Sequence, residues 1–129
     1  MTMTEKDLND KLYWYKAECT RVIDGDTMEF IVDLGMKTFV KDRIRLFGID
    51  TPEIFGVKKE SEEYAQGVRA KRRAEELLAS GDIWIKTVKD KEGKYGRYLA
   101  EVKIVQSDES VISLNETLVT EELASPKIY

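Results

Sequence analysis

Three short stretches of the sequence combine charged side chains with turn-forming residues. They are DGDT at residues 24–27, RLFGIDTPE at residues 45–53 and KYGR at residues 94–97. Together they offer carboxylate oxygens, which hard metal ions prefer, and guanidinium groups, which bind phosphate oxygens through parallel N–H donors. A carboxylate beside such groups is also able to accept a proton from an attacking water. The three stretches therefore supply the groups that a metal-dependent phosphodiesterase needs.

Each stretch also has a purely structural explanation. Residues 24–27 are typical of a hairpin turn, because Asp bonds to nearby backbone and Gly adopts unusual backbone angles. The Thr-Pro step keeps Thr51 out of the helical region, which suits a plain turn as well as a site that gathers Asp50 and the Thr51 carbonyl. Residues 94–97 are compatible with a hairpin loop whose basic side chains are merely solvated. Taken one at a time, the stretches leave both interpretations open.

The segments that must position these residues predict a β-rich fold. Alternating patterns predict a three-stranded meander over 13–23, 28–34 and 38–47, followed later by a strand pair over 82–90 and 98–105. The second strand places four apolar side chains on one face: Met28, Phe30, Val32 and Leu34. In the third strand, the alternation turns two arginines away from the face that carries Ile44 and Leu46; they are Arg43 and Arg45.

Two helices complete the prediction. Residues 61–80 begin with acids, precede Gly81 as a C-cap, and carry apolar residues at helical spacing, namely Ala70, Ala74, Leu77 and Leu78. A capping box at residues 113–116 opens a short helix that the Ser-Pro step at 125–126 ends. This order predicts an α+β fold dominated by β structure, a five-stranded Greek-key OB-fold barrel with helices packed on it.

Composition limits the classes of protein and of site. With 129 residues and 36% charged residues, the chain suits one globular domain that buries about 68% of its unfolded surface. One cysteine and no histidine exclude a Cys/His zinc site, so any metal must bind oxygen ligands. Cys19 lies in an alternating segment and is predicted to be a packed thiol, with no catalytic role.

Charge and hydropathy bound the partners and the compartment. The net charge of −4 argues weakly against non-specific binding of nucleic acid, yet basic residues cluster at 37–45, 69–73 and 86–97. No segment approaches the ~20 apolar residues of a membrane span, so we expect no membrane partner. The start lacks the apolar run of a signal peptide. We expect a cytoplasmic protein as the chain stands, or a secreted one if a leader was removed.

Taken in order, IDGDT, RLFGIDTPE and KYGR resemble the staphylococcal nuclease family, the thermonuclease-like endonucleases built on an OB-fold. The resemblance covers roughly residues 16–124 and implies one such domain over 1–129, with residues 1–12 as an N-terminal extension. It further implies a monomeric, Ca²⁺-dependent endonuclease that hydrolyses DNA and RNA with little sequence preference and leaves 3′-phosphates.

The resemblance also assigns roles to individual residues. It implies that Ca²⁺ is bound by Asp26, Asp50 and the main-chain carbonyl of Thr51. The implied catalytic residues are Arg45 and Arg97, which stabilise the phosphate in the transition state, and Glu53, which either deprotonates or orients the attacking water. The implied substrate contacts are Lys94, Tyr95 and Tyr129.

The resemblance extends less well to two regions of the chain. The segment IFGVKKESEEYAQ, which follows the Glu53 motif, is short where the family often has a lysine-rich loop, and the family's final helix is not evident before Tyr129. The rival hypothesis is a catalytically silent OB-fold module that binds single-stranded nucleic acid or a protein.

Overall fold

The structure is a computed structural model that describes residues 2–92 and 98–127. In chain order its elements are α1 (Glu5–Asp10), β1 (Trp14–Asp24), β2 (Thr27–Gly35), β3 (Thr38–Leu46), β4 (Ile49–Asp50), α2 (Glu62–Leu78), β5 (Asp82–Glu92), β6 (Tyr98–Val105), β7 (Val111–Ser113), α3 (Leu114–Thr120) and β8 (Ser125–Pro126).

Five strands close into a barrel with mixed parallel and antiparallel pairing: β1, β2, β3, β5 and β6. The main sheet has the order β3-β2-β1-β5-β6-β7, and β3 also pairs with β6. All neighbours within this sheet are antiparallel, whereas the closing β3–β6 pairing is parallel and joins Ile44 to Tyr98 and Leu46 to Ala100. The predicted five-stranded, β-dominated barrel is therefore confirmed. The short strands β4 and β8 pair separately, Ile49 with Pro126 and Asp50 with Ser125.

The barrel interior is filled by side chains that alternate inward along each strand. Met28 and Phe30 are fully buried and Val32 nearly so, as the sequence predicts. Leu34, which the alternation places on the same face, is 42% exposed. The β1–β2 ladder ends at Val32, so Leu34 lies on a two-stranded extension that no third strand covers.

Helix α2 packs its small and apolar side against the barrel. Its buried residues are the four predicted ones, Ala70, Ala74, Leu77 and Leu78, and in addition Gly67. The helix begins where the Ser61 hydroxyl accepts a hydrogen bond from the Tyr64 N–H. The prediction of Gly81 as its C-cap is wrong, since Ala79 occupies that position. Gly81 has another role: a Cβ there would collide with the carbonyl of Val105, so the glycine allows two backbones to approach closely.

Helix α3 begins as predicted, with the Ser113 hydroxyl accepting from the Glu116 N–H. The prediction that the Ser-Pro step ends this helix is wrong, because the helix stops at Thr120 and Glu122 adopts a positive φ of 62°. A third helix, α1, lies within residues 1–12 and buries none of its residues. Within the described ranges, no helix combines the length and the apolar character that crossing a membrane requires.

Candidate functional site

The strand register brings the first two motifs together. Thr27, at the start of β2, pairs with Arg45 near the end of β3, and the Leu46 N–H donates to the Asp26 carbonyl at 2.8 Å. Helix α2 packs closely against the same turn. A Cβ on Gly25 would lie 2.8 Å from the Ala70 Cβ, so this position requires glycine for space. The turn of DGDT is thus clamped between strand β3 and the helix.

Arg45 lies between two carboxylates at the edge of the barrel. Its Nη1 is 3.3 Å from Asp26 Oδ2, and its Nη2 donates to Asp50 Oδ1 at 2.8 Å. The same Nη2 also donates to the Ile49 carbonyl at 3.3 Å. The arginine is buried, with only 11% of its side chain exposed. The sequence placed Arg45 on the outward face of its strand, and the structure shows that the loop after β3 covers it.

Asp26 is buried and fixed in position. Its Oδ2 accepts from the Thr51 N–H at 3.0 Å, and its Oδ1 accepts from the Thr27 hydroxyl at 3.1 Å. These bonds satisfy a carboxylate that is only 4% exposed, which would be unfavourable without partners. The backbone of the DTPE motif is therefore bonded directly to the acid of the DGDT motif.

Asp50 reaches Arg45 because the chain reverses after β3. Gly48 has a φ of +81°, which glycine adopts readily and which returns β4 toward the end of β3. Pairing of Asp50 with Ser125 then holds this residue in extended backbone. The Asp50 side chain is 53% exposed, so it combines an ion pair to Arg45 with access to solvent.

Asp24 adds a second carboxyl beside Asp26. Its Oδ1 accepts from the Asp26 N–H at 3.1 Å. Burial, together with the hydrogen bond and negative charge of Asp26, raises the pKa of Asp24 to about 7. Burial also acts to raise the pKa of Asp26, but hydrogen bonds from Asp24 and the Thr51 N–H and the charge of Arg45 lower it below its ordinary value. Of the two carboxyls, Asp24 is therefore the one expected to take up a proton first as the pH falls.

Glu53 follows the buried Thr51 and is exposed. Among the described side chains, those of residues 2–88 and 98–127, its carboxylate has no partner in a hydrogen bond or ion pair. Helix α2 supports the backbone of this motif: a Cβ on Gly67 would lie 2.8 Å from the Pro52 carbonyl oxygen and 3.0 Å from that of Glu53. Glu53 therefore presents a solvated carboxylate on a backbone that the helix holds in place.

The structure thus gathers four sequence-predicted residues at one edge of the barrel, Asp26, Arg45, Asp50 and Thr51. Glu53 lies two residues further along the same segment. The remaining predicted residues fall outside the described parts of the chain: Lys94, Tyr95, Arg97 and Tyr129.

The oxygen atoms gathered here are the type of ligand that a hard divalent cation prefers. Asp26 and Asp50 supply carboxylate oxygens that face a common guanidinium, and Thr51 adds a backbone carbonyl nearby in the chain. In the described part of the chain, no three acid, histidine or cysteine side chains gather closely enough to hold a metal by themselves. Ca²⁺ and Mg²⁺ accept carbonyl and water oxygens beside one or two carboxylates, so the residues present fit such an ion with water as the remaining ligands.

Sequence reasoning missed several residues that build the site. Asp24 and Thr27 lie inside the quoted DGDT motif but received no role. Gly67 carried a signal, because a glycine in a helix interior is unfavourable without a packing reason. Buried Asn115 carried none: its amide donates to the Phe47 carbonyl at 2.8 Å and its Oδ1 accepts from the Val102 N–H. Asn115 thereby ties α3 to the segment that follows β3.

Comparison with known proteins adds independent information. A sequence model described as staphylococcal nuclease homologue matches residues 43–129. Thermonuclease of Staphylococcus intermedius is 36% identical over 109 residues, which cover 84% of this chain and 58% of that protein. The uncharacterized protein MJ1439 of Methanocaldococcus jannaschii is 32% identical and matches 81% of this chain and 56% of its own length. The chain thus spans little more than half the length of these curated relatives. Since the family match covers most of the chain and includes the Arg45 and Asp50 motif, the chain belongs to the staphylococcal nuclease homologue family.

Proposed function

We propose that the protein is a Ca²⁺-dependent endonuclease that hydrolyses phosphodiester bonds of DNA and RNA with little sequence preference. The family membership and the relative named thermonuclease support the class of reaction. The observation that carries the proposal is the buried guanidinium of Arg45 between the carboxylates of Asp26 and Asp50. This arrangement supplies a phosphate-binding cation beside oxygen donors for a metal.

Asp26, Asp50 and the Thr51 carbonyl would hold the Ca²⁺ ion. When bound, such an ion polarises the phosphate and lowers the pKa of a coordinated water. Asp26 suits the role of a fixed ligand because Thr51 and Thr27 already orient both of its oxygens. Asp50 suits an exchangeable position because half of its side chain faces solvent.

Glu53 would serve the attacking water. Its carboxylate is exposed and forms no ion pair within the described ranges, so it is able to accept a proton or to hold the water in line. Attack at phosphorus breaks the P–O5′ bond, and the 5′-oxygen leaves with a proton while the phosphate stays on the 3′-side. The choice between base and orienting group stays a prediction.

Arg45 would bind the phosphate as negative charge builds up on its oxygens. A guanidinium offers five N–H donors in a plane, so Arg45 is able to keep one acid partner while it donates to phosphate. Arg97 would supply the second guanidinium, as the resemblance implies. Two such donors are expected to strengthen selectively in the transition state, which is the requirement for catalysis.

The test is cleavage of DNA and RNA by the full chain in millimolar Ca²⁺ and in chelator. We expect cleavage with Ca²⁺ and none with chelator, and a fall of about 10²–10³ in rate for Arg45→Gln. Arg43→Gln is the matched control, because Arg43 is exposed and stands two residues away on the same strand. Circular dichroism of each variant checks that the fold is intact. Binding of nucleic acid without cleavage in Ca²⁺ would favour the silent OB-fold module instead.

A further inference from the structure

Two tryptophans and three lysines alternate on the outer surface of the barrel. In the antiparallel β1–β5 ladder, Trp14 stands opposite Lys86 and Lys16 stands opposite Trp84, and in the next ladder Trp84 stands opposite Lys103. These side chains face outward, because their neighbours in β5, Ile83 and Ile85, are buried in the core. We call the surface formed by Trp14, Lys16, Trp84, Lys86 and Lys103 the Trp–Lys face.

The lysine ammonium groups lie over the indole rings. Lys16 Nζ is 5.5 Å from the centre of the Trp84 ring, and Lys86 and Lys103 Nζ lie 5.8 and 5.6 Å from that of Trp14. Neither tryptophan belongs to the core cluster, and both are partly exposed. An open groove of about 560 Å³ runs between them, lined by Lys11, Trp14, Trp84, Lys103, Val105 and Val111.

We propose that the Trp–Lys face is a second binding surface, outside the Arg45 site, for single-stranded nucleic acid. Surfaces that bind single strands combine aromatic side chains, on which bases stack, with cations that meet the backbone phosphates. On binding, each lysine ammonium group would move from an indole ring to a backbone phosphate. A base would then stack on the ring that the ammonium group had covered. Because an exposed cation–π contact is weak, this exchange is easy.

The spacing of the rings favours a single strand over a duplex. Trp14 and Trp84 are diagonal neighbours on adjacent strands, which separates such side chains by about 7–8 Å. Stacked bases in a duplex rise by only about 3.4 Å, so two bases on these rings belong to an extended, unstacked strand. An acidic protein segment would use the lysines but would leave the paired indoles without a role. Glu101, opposite Lys86, marks one acidic edge of the face.

The Trp–Lys face shares no residue with the Arg45 site. Trp14 begins β1 and Asp24 ends it, ten residues later. Lys86 lies closer, because its partner Glu101 stands two residues beyond Leu99, which pairs with Arg45. The proposal rests on the Trp–Lys face alone and does not require the proposed catalytic function.

Tryptophan fluorescence tests the proposal directly, since Trp14 and Trp84 are the only two tryptophans of the chain. The full chain is titrated with oligothymidylate in chelator, where no cleavage is expected. We expect saturable quenching, weaker binding of a duplex of equal length, and an affinity that falls with salt. Trp84→Leu should weaken binding about 5- to 150-fold, the loss expected for one stacked base.

A triple variant with Lys16→Gln, Lys86→Gln and Lys103→Gln should reduce the slope of log affinity against log salt by about 2, because each lost phosphate contact contributes roughly 0.7. The matched control removes three cations from α2, with Arg69→Gln, Lys71→Gln and Arg72→Gln, and should keep the wild-type slope. If Trp84→Leu fails to fold, the lysine variant still decides the outcome.

Several results would overturn the proposal. These are unchanged fluorescence on titration, equal loss of affinity in the control triple variant, and binding that Arg45→Gln abolishes while its circular dichroism shows an intact fold. Sedimentation that shows self-association through this face, with no binding of the oligonucleotide, would assign the surface to a second copy of the chain instead. Cleavage is measured separately in Ca²⁺ on a single diester too short to reach both surfaces, so failure of either proposal is distinguishable from failure of the other.

Discussion

Two arginines of the described chain meet carboxylates in similar ways but in different surroundings. Arg45 contacts Asp26 and Asp50 at 3.3 and 2.8 Å and is buried. Arg73 donates two bonds to Glu121, at 2.8 and 3.0 Å, and a third to Glu76, with about a third of its side chain exposed. The surface pair has the better bidentate geometry. The comparison teaches that burial, more than ideal geometry, decides how much folding stability is lost when an ion pair is broken.

The largest expected effect is on folding stability at Arg45. Arg45→Gln leaves the buried Asp26 without its cation, which should lower the free energy of unfolding by about 3–5 kcal/mol. Arg73→Gln should lower it by no more than about 1 kcal/mol, because water solvates both partners. Denaturant unfolding of the two variants measures the difference. Equal losses at the two sites would show that burial does not separate them.

Glu53 belongs to the same sequence motif as Arg45 and Asp50, and it has no arginine partner among the described side chains. Glu53→Gln should lower the rate of cleavage by about 10²–10⁴, because it removes the group that we propose acts on the attacking water. The melting temperature should stay at the wild-type value, since the side chain is exposed. Turnover in Ca²⁺ and thermal unfolding are measured on the same preparation. A variant that cleaves at the wild-type rate would remove Glu53 from the mechanism.

Gly67 tests how α2 holds the backbone near the acids. Gly67→Ala places a methyl group 2.8 Å from the Pro52 carbonyl oxygen, so the motif must shift. We expect a loss of about 1–3 kcal/mol in the free energy of unfolding, despite the better helix propensity of alanine, together with slower cleavage. Gln66→Ala, on the exposed side of the same turn, is the control and should change stability by less than about 0.5 kcal/mol. A more stable Gly67→Ala protein would contradict the steric explanation.

The smallest effect concerns pH and the surface pair. The hydrogen bond from Arg73 lowers the pKa of Glu121 below its ordinary value. A carboxylate whose pKa is lower in the folded state adds stability that is present above the unfolded value of about 4.3 and fades as the pH falls through the folded value. The stability difference between wild type and Glu121→Gln should therefore shrink below about pH 4. A constant difference down to pH 3 would show that charge plays no part.

Sequence patterns predicted the elements well and the loops poorly. The strand alternation and the buried small residues of α2, such as Ala70 and Ala74, follow from local periodicity, which a sequence shows directly. The burial of Arg45 could not be predicted, because it depends on the return of the chain through Gly48. The ends of α2 and α3 were also misjudged. Gly81 and the Ser-Pro step serve contacts with distant strands, and such contacts leave no local signal.

For the candidate site too, the sequence predicted some of the residues and not others. The motifs named Asp26, Asp50 and Thr51 from their residue types and the family resemblance, and the structure brings these three residues to Arg45. Gly67 in α2 and Asn115 in α3 contact the backbone of the segment that carries the site residues. Both are distant from the motifs in sequence, so only the tertiary fold relates them to the site.

The parallel pairing of β3 with β6, the seam that closes the barrel, has a consequence for the protein during translation. The seam pairs Arg45 with Leu99, so the strand that carries the guanidinium finds its last partner in the second half of the chain. A nascent chain that has emerged only as far as β5 holds the three acids with proposed metal-binding or catalytic roles, Asp26, Asp50 and Glu53, yet has no closed barrel to arrange them. Pairings between distant segments form late in folding. On the proposed function, we expect the growing polypeptide not to cleave the messenger RNA that encodes it until β6 has left the ribosome.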